Sequence, residues 1–241
     1  MKLCVIIPCY NEKDTILKVL KRVEDVPIEK EIIIVDDGSK DGTRDILKKL
    51  KEEKPYLKII FHEKNQGKGG AIKTGIEHAE CEYIIIQDAD LEYFPEDYPK
   101  LLKPILDGKA EVVYGSRLLE KSNPKGSILY YLGRYSINWF VNLLYGTHLT
   151  DSYTCYKVLP RNFIKGINIE SKGFELEAEL TSKIILSGKK IYEVPIRYAP
   201  RSIKEGKKIN WKDWFQGAWA YLKYRIKGKR CLKNGKNRQK A

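Results

Sequence analysis

The acidic motif Asp88-Ala89-Asp90 is the part of the sequence whose residue types and spacing point most directly to chemistry. It follows an apolar run, YIII, that predicts a strand. Alternate side chains of an extended chain point to the same side, so the two carboxylates can converge, with Glu92 two residues further on. Such oxygen ligands suit Mg²⁺ or Mn²⁺ shared with substrate phosphates. Two exposed aspartates in a turn would have the same spacing, so the elements around the motif must decide between a metal site and a turn.

Apolar, β-branched runs alternate with helical patterns over the first half of the chain. Because the strand-like runs are apolar throughout, we expect helices on both faces of a mostly parallel sheet, an α/β fold. Ligands of such sheets bind at the carboxyl ends of the strands. The predicted strands are 3–8, 31–36, 57–62, 82–88 and 110–115, with helices at 12–24, 41–54, 67–80 and 95–107. Later patterns predict strands at 151–159 and 190–195 and helices at 173–187 and 211–226.

Polar or glycine-containing motifs follow four of the predicted strands. Besides the acidic motif, they are PCYNE at residues 8–12, DDGS at 36–39 and GSR at 115–117. The DDGS motif could bind ribose hydroxyls, although the same residues favour a turn and a helix N-cap. A further motif, NQGKGG at 65–70, opens a helix and could hold an anion. Its spacing matches neither a P-loop nor a dinucleotide-binding loop, which argues against an NTPase or a dehydrogenase.

Positive charge is concentrated at the C-terminus. Residues 201–241 contain 14 Lys/Arg and two acidic residues, so they account for nearly all of the formal net charge of +13. This distribution predicts an anionic partner for that segment, either a membrane surface or nucleic acid. The alternative for residues 228–241 is a disordered, solubilising tail. We therefore divide the chain into a catalytic domain (1–210), an amphipathic helix (211–227) and a basic tail (228–241).

Aromatic residues recur in two later segments, 126–146 and 211–226. A basic helix with aromatic residues on its apolar side can lie in a membrane interface, and it can equally pack on its own core. No apolar run reaches the roughly 18 residues of a membrane span, and the N-terminus lacks a signal-peptide pattern, so we expect a cytoplasmic protein. The five scattered cysteines predict free thiols in a reducing compartment and make a zinc site unexpected.

The motifs, taken in order, resemble a known enzyme family. VIIPCYNE, IIIVDDGSKDGT, NQGKGGAIKTG, YIIIQDADLEYFPED and VYGSR resemble the donor half of family 2 glycosyltransferases, which have the GT-A fold. LTDSYTCYKVLPR, GFELEAELTSKI and EVPIRYAPRSIKEGKKINWKDW resemble its dolichol-phosphate mannose and glucose synthase branch. The resemblance covers about residues 1–222. The QxxRW signature of processive polysaccharide synthases is absent from the sequence, which argues against polymerisation.

The resemblance implies a role for each strand-end motif. Nucleoside contacts would come from Pro8, Tyr10, Glu12 and Asp37. Asp88, Ala89 and Asp90 would face the diphosphate, with Asp88, Asp90 and Glu92 around a Mg²⁺ or Mn²⁺ ion. The lipid phosphate would bind Arg117 and Arg134, and Arg201 and Lys207 would close over the donor diphosphate. Glu92 stands where the mannose synthases commonly have Gln, which leaves its ligand role and the donor sugar open.

The implied reaction is an inverting, metal-dependent transfer of a hexose from a UDP- or GDP-linked donor to a polyprenyl (dolichyl) phosphate. A phosphate acceptor is already anionic and needs no general base, whereas a sugar hydroxyl acceptor needs one, for which Asp151 is the candidate. We expect a protein associated peripherally with an anionic membrane surface on the cytoplasmic side. A nucleic-acid-binding protein that uses the basic tail is the alternative of another class. Because the charge is terminal and not spread over a folded face, no nucleic acid partner is expected.

Overall fold

The computed structural model describes residues 1–124, 128–201 and 211–238. Its strands form one seven-stranded sheet in the order β3-β2-β1-β4-β6-β5-β7. The strands are β1 Leu3–Cys9, β2 Lys30–Asp36, β3 Lys58–Phe61, β4 Tyr83–Ile86, β5 Val112–Ser116, β6 Lys157–Pro160 and β7 Ile191–Pro195. The helices are α1 Ile16–Asp25, α2 Thr43–Glu53, α3 Gly67–His78, α4 Tyr98–Leu106, α5 Ile128–Tyr145, α6 Arg161–Lys165, α7 Leu176–Leu186 and α8 Trp211–Arg238.

Strand β1 lies at the centre of the parallel part of the sheet. It pairs in parallel with β2 and with β4, and β2 pairs in parallel with β3. Its apolar side chains are fully buried, as expected of a strand covered by helices on both faces. Each such isoleucine or leucine contributes roughly 1.5–3 kcal/mol by leaving water. This packing holds the carboxyl ends of β1, β2 and β4 side by side.

The C-terminal half of the sheet is mixed. Strand β6 runs antiparallel to both of its neighbours, β4 and β5, and β7 is parallel to β5. The predicted strand at 151–159 forms only over Lys157–Pro160. Residues 151–156 are a loop because Asp151, Ser152 and Thr154 are buried polar residues, the first two bonded to other elements. The prediction of a mostly parallel sheet holds, and the shortened strand leaves this loop free to contribute to a site.

Helices α5, α7 and α8 share a second hydrophobic cluster behind the sheet. Ile137 and Val141 of α5 pack there with Tyr221 and Tyr224 of α8. The Tyr145 hydroxyl donates to the backbone carbonyl of Tyr221 at 2.7 Å. The aromatic segment 126–146 therefore contains a helix with one packed face, and α8 extends to Arg238, beyond the predicted end near residue 226.

The prediction of free thiols was wrong for two of the cysteines. Cys4 and Cys81 form a disulfide, with their Cα atoms 5.5 Å apart. The parallel pairing of β1 with β4 sets Cys4 opposite Ile84 and so brings the residues before β4 beside it. Sequence spacing could not predict this pairing, because 77 residues separate the two cysteines. Cys9 and Cys155 are both buried, and Cys155 is a free thiol.

Within the described ranges, none of the helices combines the length and the apolar content that crossing a bilayer requires.

Candidate active site

A cavity of about 340 Å³ lies at the carboxyl ends of β1, β2 and β4. It brings together residues from motifs that are far apart in the sequence, as expected for a parallel sheet. Most of the predicted site residues line it: Pro8, Tyr10, Glu12, Asp37, Asp88, Ala89, Asp90, Glu92, Arg117 and Arg201. Arg134 is not among the lining residues, and Lys207 lies outside the described residues.

The two motif carboxylates reach the cavity from a bend, because β4 ends at Ile86, before the motif. Leu91 has a φ of 64°, a left-handed conformation that turns the chain back after the motif. The Asp90 carboxylate accepts a hydrogen bond from the Glu92 amide at 3.1 Å, which stabilises this bend. Asp88 and Asp90 therefore face one cavity although neither lies in a strand.

The charges around the two aspartates differ. Burial, then the negative charges of Asp88 and Glu92, raises the pKa of Asp90 to about 7. Burial also opposes the ionisation of Asp88, but the adjacent Lys68 outweighs it and lowers the pKa of Asp88. Lys68 Nζ lies 2.8 Å from Asp88 Oδ1. A raised pKa on one of two neighbouring carboxylates indicates a site that is short of positive charge.

This donor set fits a hard divalent cation. Mg²⁺ and Mn²⁺ are typically held by one or two carboxylates together with substrate phosphates, and Asp88 and Asp90 supply that number. The metal role predicted for Glu92 stays a prediction; its two oxygens accept from the Tyr198 hydroxyl at 2.7 Å and the Arg201 amide at 2.7 Å. Within the described part of the chain, the one group of three metal-ligating side chains with ligand atoms within 4.8 Å is Cys4, Glu31 and Cys81, in which the disulfide occupies both sulfurs.

Arg201 closes one side of the cavity. Its guanidinium lies 3.1 Å from Asp90 Oδ2 and 3.4 Å from Glu12 Oε2. Because Glu92 also binds its backbone amide, three carboxylates hold this arginine beside the motif. The position agrees with the prediction that Arg201 covers the donor diphosphate, which stays a prediction.

The ends of β1 and β2 are joined by hydrogen bonds. The Asn11 amide donates to Ser39 Oγ at 3.0 Å, and the Glu12 amide donates to Thr43 Oγ1 at 2.9 Å. Asn11 itself has a φ of 55°, so the chain turns sharply here. These bonds hold the side chains of Tyr10 and Glu12 along the cavity wall.

Asp37 organises the glycine-rich loop at the start of α3. Its carboxylate accepts hydrogen bonds from the amides of Gln66 and Gly67, each at 2.8 Å. Gly69 is required by close packing, because a Cβ there would lie 1.9 Å from the carbonyl oxygen of Ser171. The structure therefore explains this motif by loop geometry and by the packing of residues 171–172, and it does not require the anion site predicted for it.

Arg117, which lines the cavity, forms a buried pair with Asp151. Arg117 Nε and Nη2 donate to the two Asp151 oxygens at 2.7 and 2.8 Å, and the Arg117 amide adds a third bond at 3.0 Å. Burial opposes the ionisation of Asp151, but Arg117 outweighs it and lowers the pKa of this carboxyl. Asp151 is not among the residues that line the cavity. These contacts argue against the prediction of Asp151 as a general base, because both of its oxygens already accept hydrogen bonds from Arg117.

Arg134, on α5, lies close to Arg117. Their guanidinium carbons lie 6.0 and 5.1 Å from the centre of the same ring, that of Tyr198. Burial, and then the positive charge of Arg117, lowers the pKa of Arg134. The structure thus brings the two predicted phosphate-binding arginines together, although Arg134 stands behind the cavity lining.

Sequence reasoning missed several residues of the site. Four more aromatic side chains line the cavity, as do two charged ones: Lys68, which lies beside Asp88, and Glu177, which lies beside Lys68. Lys68 lies in the NQGKGG motif, so its position at a helix start was the available signal. Glu177 lies in GFELEAELTSKI, a segment that carried the family resemblance but gave this residue no role of its own. The aromatic residues are Tyr93, Tyr153, Phe174 and Tyr198.

The chain is similar to known proteins over most of its length. The model of the family named Glycosyl transferase family 2 matches residues 4–164. The chain is 31% identical to an undecaprenyl-phosphate mannosyltransferase of Micrococcus luteus, over 86% of this chain and 87% of that one. It is also 31% identical to the UDP-N-acetylglucosamine–dolichyl-phosphate N-acetylglucosaminyltransferase of Methanococcus voltae, over 85% and 89% of the two chains.

A solved structure shows the same fold. The chain superposes with a TM-score of 0.69 on glucosyl-3-phosphoglycerate synthase from Mycobacterium tuberculosis, a structure in complex with Mn²⁺, UDP and glucosyl-3-phosphoglycerate. The match covers 92% of this chain and 79% of that one at 17% identity, so it bears on the fold alone. The predicted α/β, GT-A architecture is confirmed. Because the family model matches well over half of the chain and two relatives are 31% identical over most of it, the chain belongs to family 2 of the glycosyltransferases and is a glycosyltransferase.

Proposed function

We propose that this enzyme transfers a hexose from a UDP- or GDP-linked donor to a polyprenyl phosphate, with inversion at the anomeric carbon and with Mg²⁺ or Mn²⁺. One observation carries the proposal: the cavity is lined by the carboxylates of Asp88 and Asp90 and by the buried Arg117, with Arg134 against the same Tyr198 ring. An anionic acceptor suits such an arginine pair. The names of both relatives include a polyprenyl-type phosphate, undecaprenyl or dolichyl.

In this proposal, the cavity residues around Asp88 and Asp90 bind a nucleoside diphosphate and its metal ion. Asp88 and Asp90 would hold the ion, which when bound stabilises negative charge on the departing diphosphate. Arg201 stands beside Asp90, where its fixed guanidinium can bind the same phosphate oxygens. Pro8, Tyr10, Glu12 and Asp37, which line the same cavity, would contact the nucleoside. Lys207 keeps its predicted role at the diphosphate as part of this proposal.

Arg117 would orient the acceptor phosphate and supply positive charge to it. Asp151 holds the Arg117 guanidinium through two side-chain bonds, so the arginine is fixed before an acceptor binds. An acceptor phosphate oxygen forms the new bond to the anomeric carbon on the face opposite the leaving group. The carbon–oxygen bond to the donor diphosphate breaks, and the nucleoside diphosphate leaves with the electron pair. Because the acceptor oxygen is anionic, no side chain has to remove a proton.

A membrane-facing surface completes the proposal for a lipid acceptor. On α5 and α8, apolar side chains point away from the shared cluster, with Trp139 68% and Trp219 64% exposed. We define this as the aromatic face: Leu132, Tyr135, Trp139, Leu143, Phe215, Trp219 and Ile226. In the sequence, its α8 residues belong to the basic segment 201–241, and amphipathic surfaces of this kind bind the interface of anionic bilayers. Peripheral association with the cytoplasmic side of a membrane is therefore part of the proposal.

A sugar-transfer assay tests the proposed function. The full chain is incubated with radiolabelled UDP-glucose, UDP-N-acetylglucosamine or GDP-mannose, with Mg²⁺ or Mn²⁺ and a short polyprenyl phosphate. We expect label in the organic phase for one of the donors, dependent on the metal and on the phosphate of the acceptor. The Asp90→Asn variant is the matched control and should form no product. Absence of lipid-linked product with every donor would overturn the proposed acceptor.

A further inference from the structure

Lys68 holds an unusual position for a charged side chain. It is the second residue of α3 and lines the cavity, and its side chain is 15% exposed. Its ammonium lies between two carboxylates, 2.8 Å from Asp88 Oδ1 and 3.3 Å from Glu177 Oε1. The lysine ammonium therefore sits where a metal ion is expected to meet Asp88.

Glu177 gives this lysine a second place to bind. Its Oε2 pairs with the ammonium of Lys157, which is fully buried on β6. Its Oε1 is buried in the cavity wall and has no hydrogen-bond partner among the described residues, although Lys68 is near. Charges thus alternate along the row Lys157, Glu177, Lys68 and Asp88. Within this row Lys68 can leave Asp88 without losing every counter-charge.

We propose that Lys68 is an exchangeable cation of the donor site, which neutralises Asp88 before the donor arrives and then contacts the nucleotide diphosphate. A divalent ion on Asp88 would repel an ammonium 2.8 Å from the same carboxylate. The incoming diphosphate supplies anionic oxygens next to the ion, and Glu177 keeps the lysine within reach of them. Lys68 then adds positive charge to the leaving group beside the metal and Arg201. The inference rests on the proposed function and extends it by one residue.

An exchangeable cation predicts two effects of opposite sign for Lys68→Gln. Mn²⁺ alone should bind roughly 3- to 10-fold more tightly, because no ammonium competes for Asp88. UDP or GDP in the presence of saturating Mn²⁺ should bind about 10-fold more weakly, because one charge-assisted contact to the diphosphate is lost. A lysine that only stabilises the fold would not produce this pair of opposite changes.

Isothermal titration calorimetry on the metal-free full chain measures both affinities. Lys73→Gln is the matched control, since Lys73 lies exposed on the same helix, and both affinities should stay at the wild-type values. If thermal melting shows that Lys68→Gln does not fold, the charge-balanced variant Lys68→Gln with Glu177→Gln carries the same nucleotide test. We expect the loss of nucleotide affinity in that variant too.

Unchanged affinities in the Lys68 variants would overturn the proposal. So would a parallel loss of Mn²⁺ and nucleotide binding in Lys68→Gln, because that would make the lysine a structural support of Asp88. A wild-type protein that binds neither UDP nor GDP would instead overturn the proposed function, and this inference with it. If the wild type binds UDP or GDP and Lys68→Gln has the same affinities, only the proposed role of Lys68 is overturned, and the proposed function stands.

Discussion

The buried pair of Arg117 and Asp151 yields the most decisive prediction. Asp151→Asn keeps the side-chain shape but removes the charge and turns one acceptor oxygen into a donor amide that faces the guanidinium. Three bonds, at 2.7, 2.8 and 3.0 Å, converge on this carboxylate. A charge-assisted hydrogen bond contributes roughly 1.5–3 kcal/mol, and breaking a buried ion pair costs about 3–5 kcal/mol. We expect a loss of about 3 kcal/mol in unfolding free energy, or roughly 6–12 °C in Tm for a domain of this size.

The catalytic effect separates two roles for Asp151. If it only positions Arg117, Asp151→Asn raises the KM for polyprenyl phosphate by roughly 10-fold or more, as expected when a fixed guanidinium is released, and leaves nucleotide affinity unchanged. The double variant Arg117→Ala with Asp151→Asn should then be no worse than Arg117→Ala alone. Asp45→Asn, at an exposed position of α2, is the control for the substitution itself.

Steady-state transfer assays check this double-mutant cycle on the wild type, Arg117→Ala, Asp151→Asn and the double variant. The positioning role would be refuted if Asp151→Asn lowered kcat roughly a thousand-fold and left the acceptor KM unchanged. In that case the double variant would also be slower than Arg117→Ala by the same factor. That outcome would restore Asp151 as a base and favour a sugar hydroxyl acceptor. The present contacts argue for the first outcome, because both carboxylate oxygens are already bound by Arg117.

The same pair predicts a pH dependence of stability. The folded-state pKa of Asp151 lies below its unfolded value, because Arg117 outweighs the opposing effect of burial. The stabilisation is therefore complete above the unfolded pKa of roughly 4 and is lost as the pH falls through the folded value. Urea denaturation should show the wild type and Asp151→Asn converging in unfolding free energy below about pH 4. A difference between them that stays constant down to roughly pH 2 would contradict the ion-pair explanation.

Three further predictions concern the metal, the glycine-rich loop and the aromatic face. We expect Mn²⁺ to raise the Tm of the wild type and not that of Asp90→Asn. The metal-free variant should melt no lower than the wild type, because burial and two neighbouring acids already disfavour the Asp90 charge. A lower Tm of the metal-free variant would contradict this reasoning. Gly69→Ala should lower the unfolding free energy by about 3 kcal/mol or more, since its Cβ would overlap a backbone carbonyl, whereas Gly133→Ala in α5, with open space around it, should be neutral or stabilising by up to about 1 kcal/mol. Trp139→Ala with Trp219→Ala should reduce sedimentation with anionic vesicles by roughly 10-fold and leave nucleotide affinity unchanged, because both side chains point to solvent; equal vesicle binding would refute the aromatic face.

Local patterns in the sequence determined most of the donor end. The apolar runs predicted β1 to β5 within about two residues at each end, because strands buried on both faces need continuous apolar sequence. Polar motifs at the ends of parallel strands must meet at one edge of the sheet, so the motif positions alone predict that Tyr10, Asp37 and Asp88 lie together, as they do in the cavity. The site followed from topology that the sequence pattern itself encodes.

Only the tertiary structure decided which charges are partners. Strand β6 enters the sheet antiparallel between β4 and β5, and this pairing over a long sequence separation leaves residues 151–156 as the loop that fixes Arg117. The ion pair of Lys68 with Asp88 and the disulfide of Cys4 with Cys81 likewise join residues that are distant in the chain. No local preference of the chain encodes such contacts, because they depend on strand order and register, which are set by the packing of the whole core.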